Sequence, residues 1–277
     1  MFDTLFQTPP PQGFSCPNLR TGIVAGAPVP RPLMEKMVTL FGMTEFTSSY
    51  GLTEASPTCF NAFTDDPIQK RLSTVGTLMP HAMAKVVDPK TGQTVPVGTR
   101  GELCIAGYQL QTGYWNNSER TSEVMVRDEA GTLWLRTGDE AVFDGEGYCT
   151  ITGRFKDIII RGGENIYPLE IEERLVGHAE IARAVVVGLG DRRYGEVVGA
   201  FLETERGGGS RVPTDVEVKS WVREKLGGPK VPVHIFWMGR DGVPGNFPLT
   251  GSGKVKKYEM AKLGNKLVQR RQGLSHL

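Results

Sequence analysis

At the start of the chain, the spacing of hydrophobic and polar residues is typical of a strand, then of a helix, and then of a second strand. Residues 21–26 form an apolar run bounded by glycine, which predicts a short buried strand. Residues 45–51 predict a second strand that runs into a polar loop. Between them, apolar side chains share one helical face, namely Leu33, Met34, Met37, Val38 and Phe41. This order predicts a βαβ unit.

The pattern changes between residues 72 and 155 to short strands separated by Gly, Asp and Asn turns. The predicted strands are 101–107 (GELCIAG), 132–138 (TLWLRTG), 140–145 (EAVFDG) and 148–153 (YCTITG). Residues 154–168 then predict a strand, a Gly-Gly turn and a helix that begins at Pro168, where the missing N–H costs nothing. This region is therefore expected to be rich in β-structure.

A smaller α+β unit is predicted after residue 168. Its strand candidates are 181–189, 197–203 and 233–238, and residues 205–213 predict a flexible surface loop. Thr214 and Glu217 form a capping-box pattern that opens a helix through Leu226. A Gly-rich loop at 243–257 runs into a basic C-terminal helix. We place the domain boundary near 154–157, with an α/β domain at 1–153 and an α+β domain at 154–277.

Composition excludes several classes of protein. The formal net charge of the 277 residues is +1, so no charge field for nucleic acid or membrane surfaces covers the chain. The four cysteines stand apart and only four histidines occur, which argues against a zinc site or a disulfide scaffold. Reduced thiols in an intracellular compartment are expected. The first residues do not resemble a secretory signal, and no apolar run is long enough to cross a bilayer.

Two stretches in the first domain carry side chains suited to nucleotide chemistry. In SSYGLTE (48–54), Tyr50 offers a ring for stacking on a base, Thr53 a hydroxyl, and Glu54 an oxygen ligand suited to Mg²⁺. The alternative is a polar turn with Glu54 in solvent. In LRTGDEA (135–141), Asp139 follows a glycine at a strand end, where a carboxylate can accept hydrogen bonds from ribose hydroxyls. The alternative is an Asx turn.

Two further stretches lie at the domain boundary and near the C-terminus. The Gly162-Gly163 pair permits positive φ and close approach of the backbone to a ligand, although the surrounding residues also suit an edge strand. The loop PLTGSGKVKK (248–257) carries Lys254 as a mobile cation for an anionic ligand. It lacks the spacing of a P-loop, and a solvated loop is the alternative.

Together, YGLTE, TGD, GRFKDIIIRGGENIYPLEIE and PLTGSGK resemble, in order and spacing, the motifs of the adenylate-forming superfamily. That superfamily contains acyl-CoA synthetases, peptide-synthetase adenylation domains and luciferases. The resemblance runs from about residue 17 to 268, and two stretches, NIYPLEIE and GELCIAGYQLQTGYW, look most like medium-chain or related acyl-CoA synthetases. It implies a ligase that uses ATP, Mg²⁺ and coenzyme A to convert a carboxylic acid, fatty or otherwise aliphatic, into acyl-AMP and then acyl-CoA.

The resemblance also implies roles for individual residues. In the YGLTE motif, Tyr50 and the adjoining Gly51 would bind adenine, Thr53 would touch phosphate, and Glu54 would ligate Mg²⁺. Gly26 would lie beside the adenine and the acyl pocket. The remaining roles are ribose binding by Asp139 and Arg154, bridging of carboxylate and α-phosphate by Lys254, a hinge at Lys156, and a thiol tunnel lined by Gly162, Gly163 and Glu164. The C-terminal domain is expected to rotate between the two half-reactions.

One family motif is absent, the Ser/Thr/Gly-rich phosphate loop of the T-S-G-T-T-G-x-P-K-G kind, since only 49 residues precede Tyr50. The chain is therefore expected to represent the C-terminal half of a synthetase, with a partial large domain at 1–153 and doubtful activity by itself. Two other hypotheses stay open. One is a non-catalytic product that binds AMP, CoA or a partner chain, and the other is an adenylate-former that uses an aryl acid or another acceptor.

The last three residues suggest a location. Ser275, His276 and Leu277 resemble the S-K-L peroxisomal address, with His in place of Lys. A peroxisomal import receptor is therefore an expected partner, and a chance tripeptide on a cytoplasmic protein is the alternative.

Overall fold

The computed structural model describes residues 13, 16–26, 31–204, 211–251 and 253–274, without the side chains of 272–274. Two compact units divide between Lys156 and Asp157, one within Ser15–Lys156 and the other within Asp157–Leu277. Within the described residues, no helix has the length and apolar character needed to cross a bilayer.

The N-terminal unit contains a four-stranded and a five-stranded sheet. Its strands are β1 (Thr21–Val24), β2 (Glu45–Gly51), β3 (Thr58–Asn61), β4 (Thr77–Leu78), β5 (Met83–Val87), β6 (Gly101–Ala106), β7 (Met125–Arg127), β8 (Leu133–Phe143) and β9 (Cys149–Arg154). Its helices are α1 (Arg31–Phe41), α2 (Ile68–Ser73) and α3 (Ser118–Val124). The first sheet has the order β1-β2-β3-β4, and the second has the order β5-β6-β8-β7 with β9 beside β8.

The predicted βαβ unit is confirmed. Strands β1 and β2 are parallel, and α1 connects them. The predicted apolar face of α1 buries Met34 and Met37. The expectation that β1 is buried is wrong, because β1 has only one neighbour in its sheet. Only Val24 of this strand is buried, and Ile23 is 66% exposed.

The predicted β-rich region is also confirmed, with one correction. Residues 132–138 and 140–145 were expected to form two strands, but they form the single strand β8. Gly138, which signals a turn in the sequence, instead adopts a φ of 72° within an irregularity of the β6–β8 ladder. The buried core of this region includes Phe60, Leu103 and Leu135.

The C-terminal unit is a five-stranded sheet with three helices. The strands have the order β11-β10-β13-β12, and β14 pairs with β13. They are β10 (Ile159–Arg161), β11 (Glu164–Ile166), β12 (Ile181–Asp191), β13 (Gly195–Thr204) and β14 (His234–Trp237). The helices are α4 (Pro168–Val176), α5 (Asp215–Arg223) and α6 (Lys257–Leu274).

Local signals placed most of these elements correctly. Pro168 begins α4, and Thr214 and Glu217 make both hydrogen bonds of a capping box at α5. Helix α5 ends at Arg223 rather than at Leu226, because the chain turns there toward the Gly-Gly-Pro segment that follows. The strand predicted from residue 154 is interrupted by a 3₁₀ turn at Phe155–Asp157. Of the predicted loop at 205–213, residues 205–210 lie outside the described residues.

The cysteines provide a test of the N-terminal unit. Cys16 is exposed, whereas Cys59, Cys104 and Cys149 are buried, and all four are free thiols. Burial raises the pKa of Cys59 to about 11 and that of Cys149 to about 12. Because the thiolate is the reactive form, we expect a thiol reagent to label one cysteine quickly in the native chain and all four after denaturation. Rapid labelling of more than one native thiol, counted by mass spectrometry, would contradict this packing.

Candidate functional site

The carboxyl ends of β1 and β2 lie at the same edge of the first sheet. Val24 is opposite Ser48 in the parallel pair, and Gly26 and Tyr50 each follow two residues later. Gly26 has a φ of 91°, which favours glycine. Ligands of open α/β sheets bind outside the carboxyl ends of parallel strands. The fold therefore places two of the predicted nucleotide-binding residues at an edge suited to that role.

Asp139 joins two other predicted residues, Tyr50 and Arg154, in one hydrogen-bonded group. Asp139 is 5% exposed, and its carboxylate accepts a hydrogen bond from the Tyr50 hydroxyl at 2.7 Å on Oδ2. Oδ1 accepts a hydrogen bond from Arg154 Nε, also at 2.7 Å, and the two residues are opposite each other on β8 and β9. An ionised carboxylate has about four acceptor positions. The group can therefore still accept hydrogen bonds from two neighbouring hydroxyls of a ligand.

The environment of Tyr50 keeps its hydroxyl protonated. Burial, followed by the charge of Asp139, raises the pKa of Tyr50 far above its usual value. The Tyr50 hydroxyl therefore acts as a donor to Asp139 at every physiological pH. The neighbouring Gly51 has a steric role, because a Cβ atom there would lie 1.8 Å from the carbonyl oxygen of Pro57. Adenine stacking on the ring of Tyr50 stays a prediction.

Thr53 and Glu54 lie in the 3₁₀ turn Thr53–Ala55 that follows β2. Thr53 is exposed and Glu54 is half-buried. Glu54 Oε1 accepts a hydrogen bond from the Tyr114 hydroxyl at 2.7 Å, and its carbonyl oxygen accepts one from the Gln111 N–H at 2.9 Å. The loop between β6 and α3 thus holds Glu54. Sequence analysis missed Tyr114, whose only signal is its place in the GYW triplet.

The residues around Glu54 are compatible with a magnesium ion that takes most of its ligands from the phosphates of ATP and from water. No cluster of three or more acidic, histidine or cysteine side chains suitable for a metal exists in the described part of the chain. Glu54 offers one carboxylate, and Tyr114 uses only its Oε1. Magnesium sites in nucleotide enzymes commonly combine one or two carboxylates with phosphate oxygens and water. The donor set is therefore compatible with Mg²⁺ bound together with ATP.

Sequence analysis also missed Glu102, the second residue of β6. The residue is 6% exposed, and its Oε1 accepts a hydrogen bond from the Gly138 N–H at 3.2 Å. Oε2 accepts one from Arg136 Nε at 2.8 Å. The available signal was a carboxylate at the start of the otherwise apolar strand GELCIAG.

In the C-terminal unit, Lys254 ends a closed turn. The N–H of Thr250 donates to the Lys254 carbonyl at 2.8 Å, and the N–H of Lys254 donates to Thr250 Oγ1 at 3.1 Å. Gly253 has a φ of 81°, and Leu249 and Val255 form a β-bridge across the turn. The turn presents an exposed Lys254 side chain on a hydrogen-bonded backbone. Both the predicted role of Lys254 at an anionic ligand and the alternative of a solvated loop stay open.

Gly162 and Gly163 form the two-residue turn between β10 and β11. Arg161 is opposite Glu164, and the two glycines have φ values of 59° and 88°. These values match a type I′ hairpin turn, which requires positive φ at both positions. The Gly162 N–H donates to the Tyr194 carbonyl at 2.7 Å, and Glu164 is exposed. The hairpin turn therefore explains why both positions are glycine. Their part in a thiol tunnel stays a prediction.

Two predictions concern the boundary and the C-terminus. Lys156 is exposed in the 3₁₀ turn at the end of the N-terminal unit. This position is compatible with a hinge, and the hinge stays a prediction. Ser275, His276 and Leu277 lie outside the described residues. The peroxisomal address therefore stays a prediction.

Two family profiles match the chain. The profile of the AMP-binding enzymes matches residues 1–115, and that of the AMP-binding enzyme C-terminal domain matches residues 170–254. The two matches lie on either side of the unit boundary after Lys156.

Curated relatives and solved structures agree with the profiles. The acyl-CoA ligase sidI of Beauveria bassiana is 70% identical over 270 residues, which include 98% of this chain and 46% of the relative. The acyl-CoA ligase SID4 of Ajellomyces capsulatus is 60% identical over 97% of this chain and 45% of the relative. The chain thus spans about half the length of these curated relatives.

Among solved structures, o-succinylbenzoate CoA synthetase (MenE) from Bacillus subtilis in complex with its acyl-adenylate intermediate OSB-AMP has a TM-score of 0.76. It is 26% identical, and the match covers 94% of this chain and 49% of that chain. The observed fold is therefore that of adenylate-forming enzymes.

Proposed function

The chain belongs to the AMP-binding enzyme family, and we propose that it carries the ribose-binding and catalytic-lysine parts of an ATP-dependent, AMP-forming acyl-CoA ligase. The observation that carries this proposal is the buried Asp139 carboxylate, held by Tyr50 and Arg154 at the sheet edge. Two relatives named acyl-CoA ligases support it, as does the likeness to a synthetase solved with an acyl-adenylate.

Nucleotide recognition follows from the remaining capacity of Asp139. The carboxylate accepts from the ribose 2′- and 3′-hydroxyls, while Arg154 and Tyr50 keep it in place. Hydrogen bonds to a charged acceptor contribute about 1.5–3 kcal/mol each, so the diol adds substantially to nucleotide affinity. The half-buried ring of Tyr50 and the open backbone at Gly26 complete a surface for adenine.

In the first half-reaction, the substrate carboxylate attacks the α-phosphorus of ATP and pyrophosphate leaves. Negative charge builds on the α-phosphate oxygens in the transition state, and the exposed Lys254 ammonium stabilises this charge and orients the carboxylate. Thr53 donates to a phosphate oxygen. Glu54, oriented by Tyr114, would hold Mg²⁺, which would neutralise phosphate charge when it is bound with ATP.

In the second half-reaction, the thiol of coenzyme A attacks the acyl carbonyl carbon. A carbon–sulfur bond forms, the bond from the carbonyl carbon to the adenylate oxygen breaks, and AMP departs as the thiol loses its proton. The Gly162-Gly163 turn and Glu164 line the path of the thiol in this step. Rotation of the C-terminal domain about Lys156 between the half-reactions replaces Lys254 with this turn. The acid is aliphatic, in keeping with the resemblance of residues 101–115 to acyl-CoA synthetases.

Acid-dependent exchange of pyrophosphate into ATP tests this proposal. The assay compares the 277-residue chain with a longer polypeptide. The longer polypeptide is extended at its N-terminus to the full length of the curated relatives and includes a phosphate loop. We expect exchange only in the longer protein, because the 277 residues contain no Ser/Thr/Gly-rich phosphate loop. Comparable exchange by the 277-residue chain would contradict the assignment of triphosphate binding to that loop. No exchange by the longer protein with any aliphatic acid would contradict the proposed ligase.

A further inference from the structure

We propose that Glu102 is a positioning residue for nucleotide binding, which acts by holding the β8 segment that carries Asp139. This inference rests on the proposed function, since it concerns how the same carboxylate meets the ribose. Glu102 has no contact with Asp139 itself among the hydrogen bonds of its side chain. It acts through the peptide group of Gly138.

The β6–β8 ladder contains a bulge that includes Asp139. Glu102 is opposite Glu140, and Cys104 is opposite Arg136. Three residues of β8, 137–139, therefore face the single residue Leu103 of β6. A bulge re-aims the side chains of its strand, and bulges commonly adjoin active sites. Asp139 is the last residue of this bulge and is aimed at Tyr50 and Arg154 rather than along the ladder.

Two side chains hold the two amide groups that the bulge removes from the ladder. The Thr137 hydroxyl donates to the Leu103 carbonyl at 2.8 Å and accepts from the Asp139 N–H at 3.1 Å. Glu102 Oε1 accepts from the Gly138 N–H at 3.2 Å. Both consecutive amides of the bulge thus have side-chain acceptors. Gly138 has a φ of 72°, so this conformation depends on glycine and on the bonds that hold it.

The charge of Glu102 is compensated within the same segment. Arg136 precedes the bulge, and its guanidinium forms an ion pair with Glu102 Oε2 through two nitrogens. Leu103, Ile105 and Ala106 of the same strand are fully buried, so the strand otherwise has the composition of a core element. A buried carboxylate in such a strand is costly unless it is paired and hydrogen-bonded. The ion pair with Arg136 therefore fixes the Glu102 carboxylate in the position where it accepts the hydrogen bond from the Gly138 N–H.

The consequence for binding is specific to the ribose. If the bulge relaxes, the orientation of the Asp139 carboxylate changes, and its hydrogen bonds to the 2′- and 3′-hydroxyls weaken. The residues proposed to contact adenine and phosphate lie on other segments, although Tyr50 shares a hydrogen bond with Asp139. Loss of Glu102 should therefore reduce the preference for AMP over 2′,3′-dideoxy-AMP, whereas a general loss of structure would weaken both ligands equally.

The test compares Glu102→Gln with the matched control Glu140→Gln. Glu140 is also a buried carboxylate in this sheet, opposite Glu102, and its side chain accepts a hydrogen bond from Thr152 and pairs with Arg100. Dissociation constants for AMP and 2′,3′-dideoxy-AMP are measured by calorimetry on the 277-residue chain. Hydrogen exchange of the Gly138 and Asp139 amides is measured by NMR without a nucleotide.

We expect Glu102→Gln to reduce the preference for AMP by about tenfold, the effect of weakening one charged hydrogen bond, and to speed exchange at both amides by a similar factor. Glu140→Gln should preserve the preference and the exchange rates. An unchanged preference, an equal loss for both nucleotides, or unchanged exchange at Gly138 would overturn the inference. If the wild-type chain binds neither nucleotide, the proposed ribose site is contradicted, and the exchange rates by themselves decide whether Glu102 holds the bulge.

Discussion

Replacing Lys254 with alanine should lower the rate of acyl-adenylate formation by about 100- to 1,000-fold, the usual effect of removing one donor from a developing oxyanion. Thioester formation from a supplied acyl-adenylate and coenzyme A should change little, because the proposed rotation about Lys156 removes Lys254 from the adenylate before that step. The turn around Lys254 is held by backbone groups and Thr250, so the substitution should not disturb the fold. Both half-reactions are measured in the longer protein that contains the phosphate loop.

Lys256→Ala provides the matched control for this prediction. Lys256 lies two residues later, and its ammonium already forms an ion pair with Glu259 at 3.0 Å. We expect its loss to leave both half-reactions close to wild-type rates. An equal loss of both half-reactions in Lys254→Ala would contradict the assignment of Lys254 to the first step. So would a loss in Lys256→Ala as large as that in Lys254→Ala.

Asp139→Asn should weaken AMP binding by about 10- to 100-fold. The substitution keeps the size of the side chain but removes the negative charge and one of the two acceptor oxygens. It therefore weakens the bonds to the ribose diol and the ion pair with Arg154, and charged hydrogen bonds contribute about 1.5–3 kcal/mol each. Calorimetric titration of the 277-residue chain with AMP measures the change.

Asp144→Asn is the control for this second prediction. Asp144 is an acidic residue of the same unit that pairs with Lys70 at 2.6 Å, apart from the Tyr50 and Arg154 group. Its substitution should leave AMP affinity within about threefold of wild type, since surface ion pairs contribute at most about 1 kcal/mol. Wild-type AMP affinity in Asp139→Asn would show that the carboxylate does not bind the ribose.

Local sequence signals predicted the elements whose conformation depends on near neighbours. The period of apolar residues predicted α1, and the capping box of Thr214 and Glu217 predicted the start of α5. Pro168 predicted the start of α4, and the Gly-Gly pair predicted the turn before Glu164. In each case the signal and the structure lie within a few residues, so no knowledge of tertiary contacts was needed.

The sequence did not predict the features that depend on contacts between distant strands. Glu102 meets Gly138 only because β6 and β8 pair out of regular register, and no local pattern around either residue encodes that bulge. The hydrogen bond from Tyr114 to Glu54 likewise joins residues 60 positions apart. The exposure of β1 depends on its position at the end of the sheet, which its apolar sequence does not reveal.

The site residues show the same division. The motifs identified Tyr50, Asp139 and Arg154 separately, whereas the structure shows that they form one hydrogen-bonded group. Their chemistry was readable from residue type and from the resemblance to a family. Their mutual orientation was not readable, because it depends on the pairing of β8 with β9 and on the approach of β2 to β8.

A crystal structure of the chain with a stable acyl-adenylate analogue would test the central claim most directly. The measured quantity is the distance from the Asp139 carboxylate oxygens to the ribose O2′ and O3′ atoms. We predict that both hydroxyls lie within hydrogen-bonding distance, about 2.5–3.0 Å, with Arg154 still paired to the same carboxylate. A nucleotide bound elsewhere, or a ribose that makes no contact with Asp139, would contradict the account.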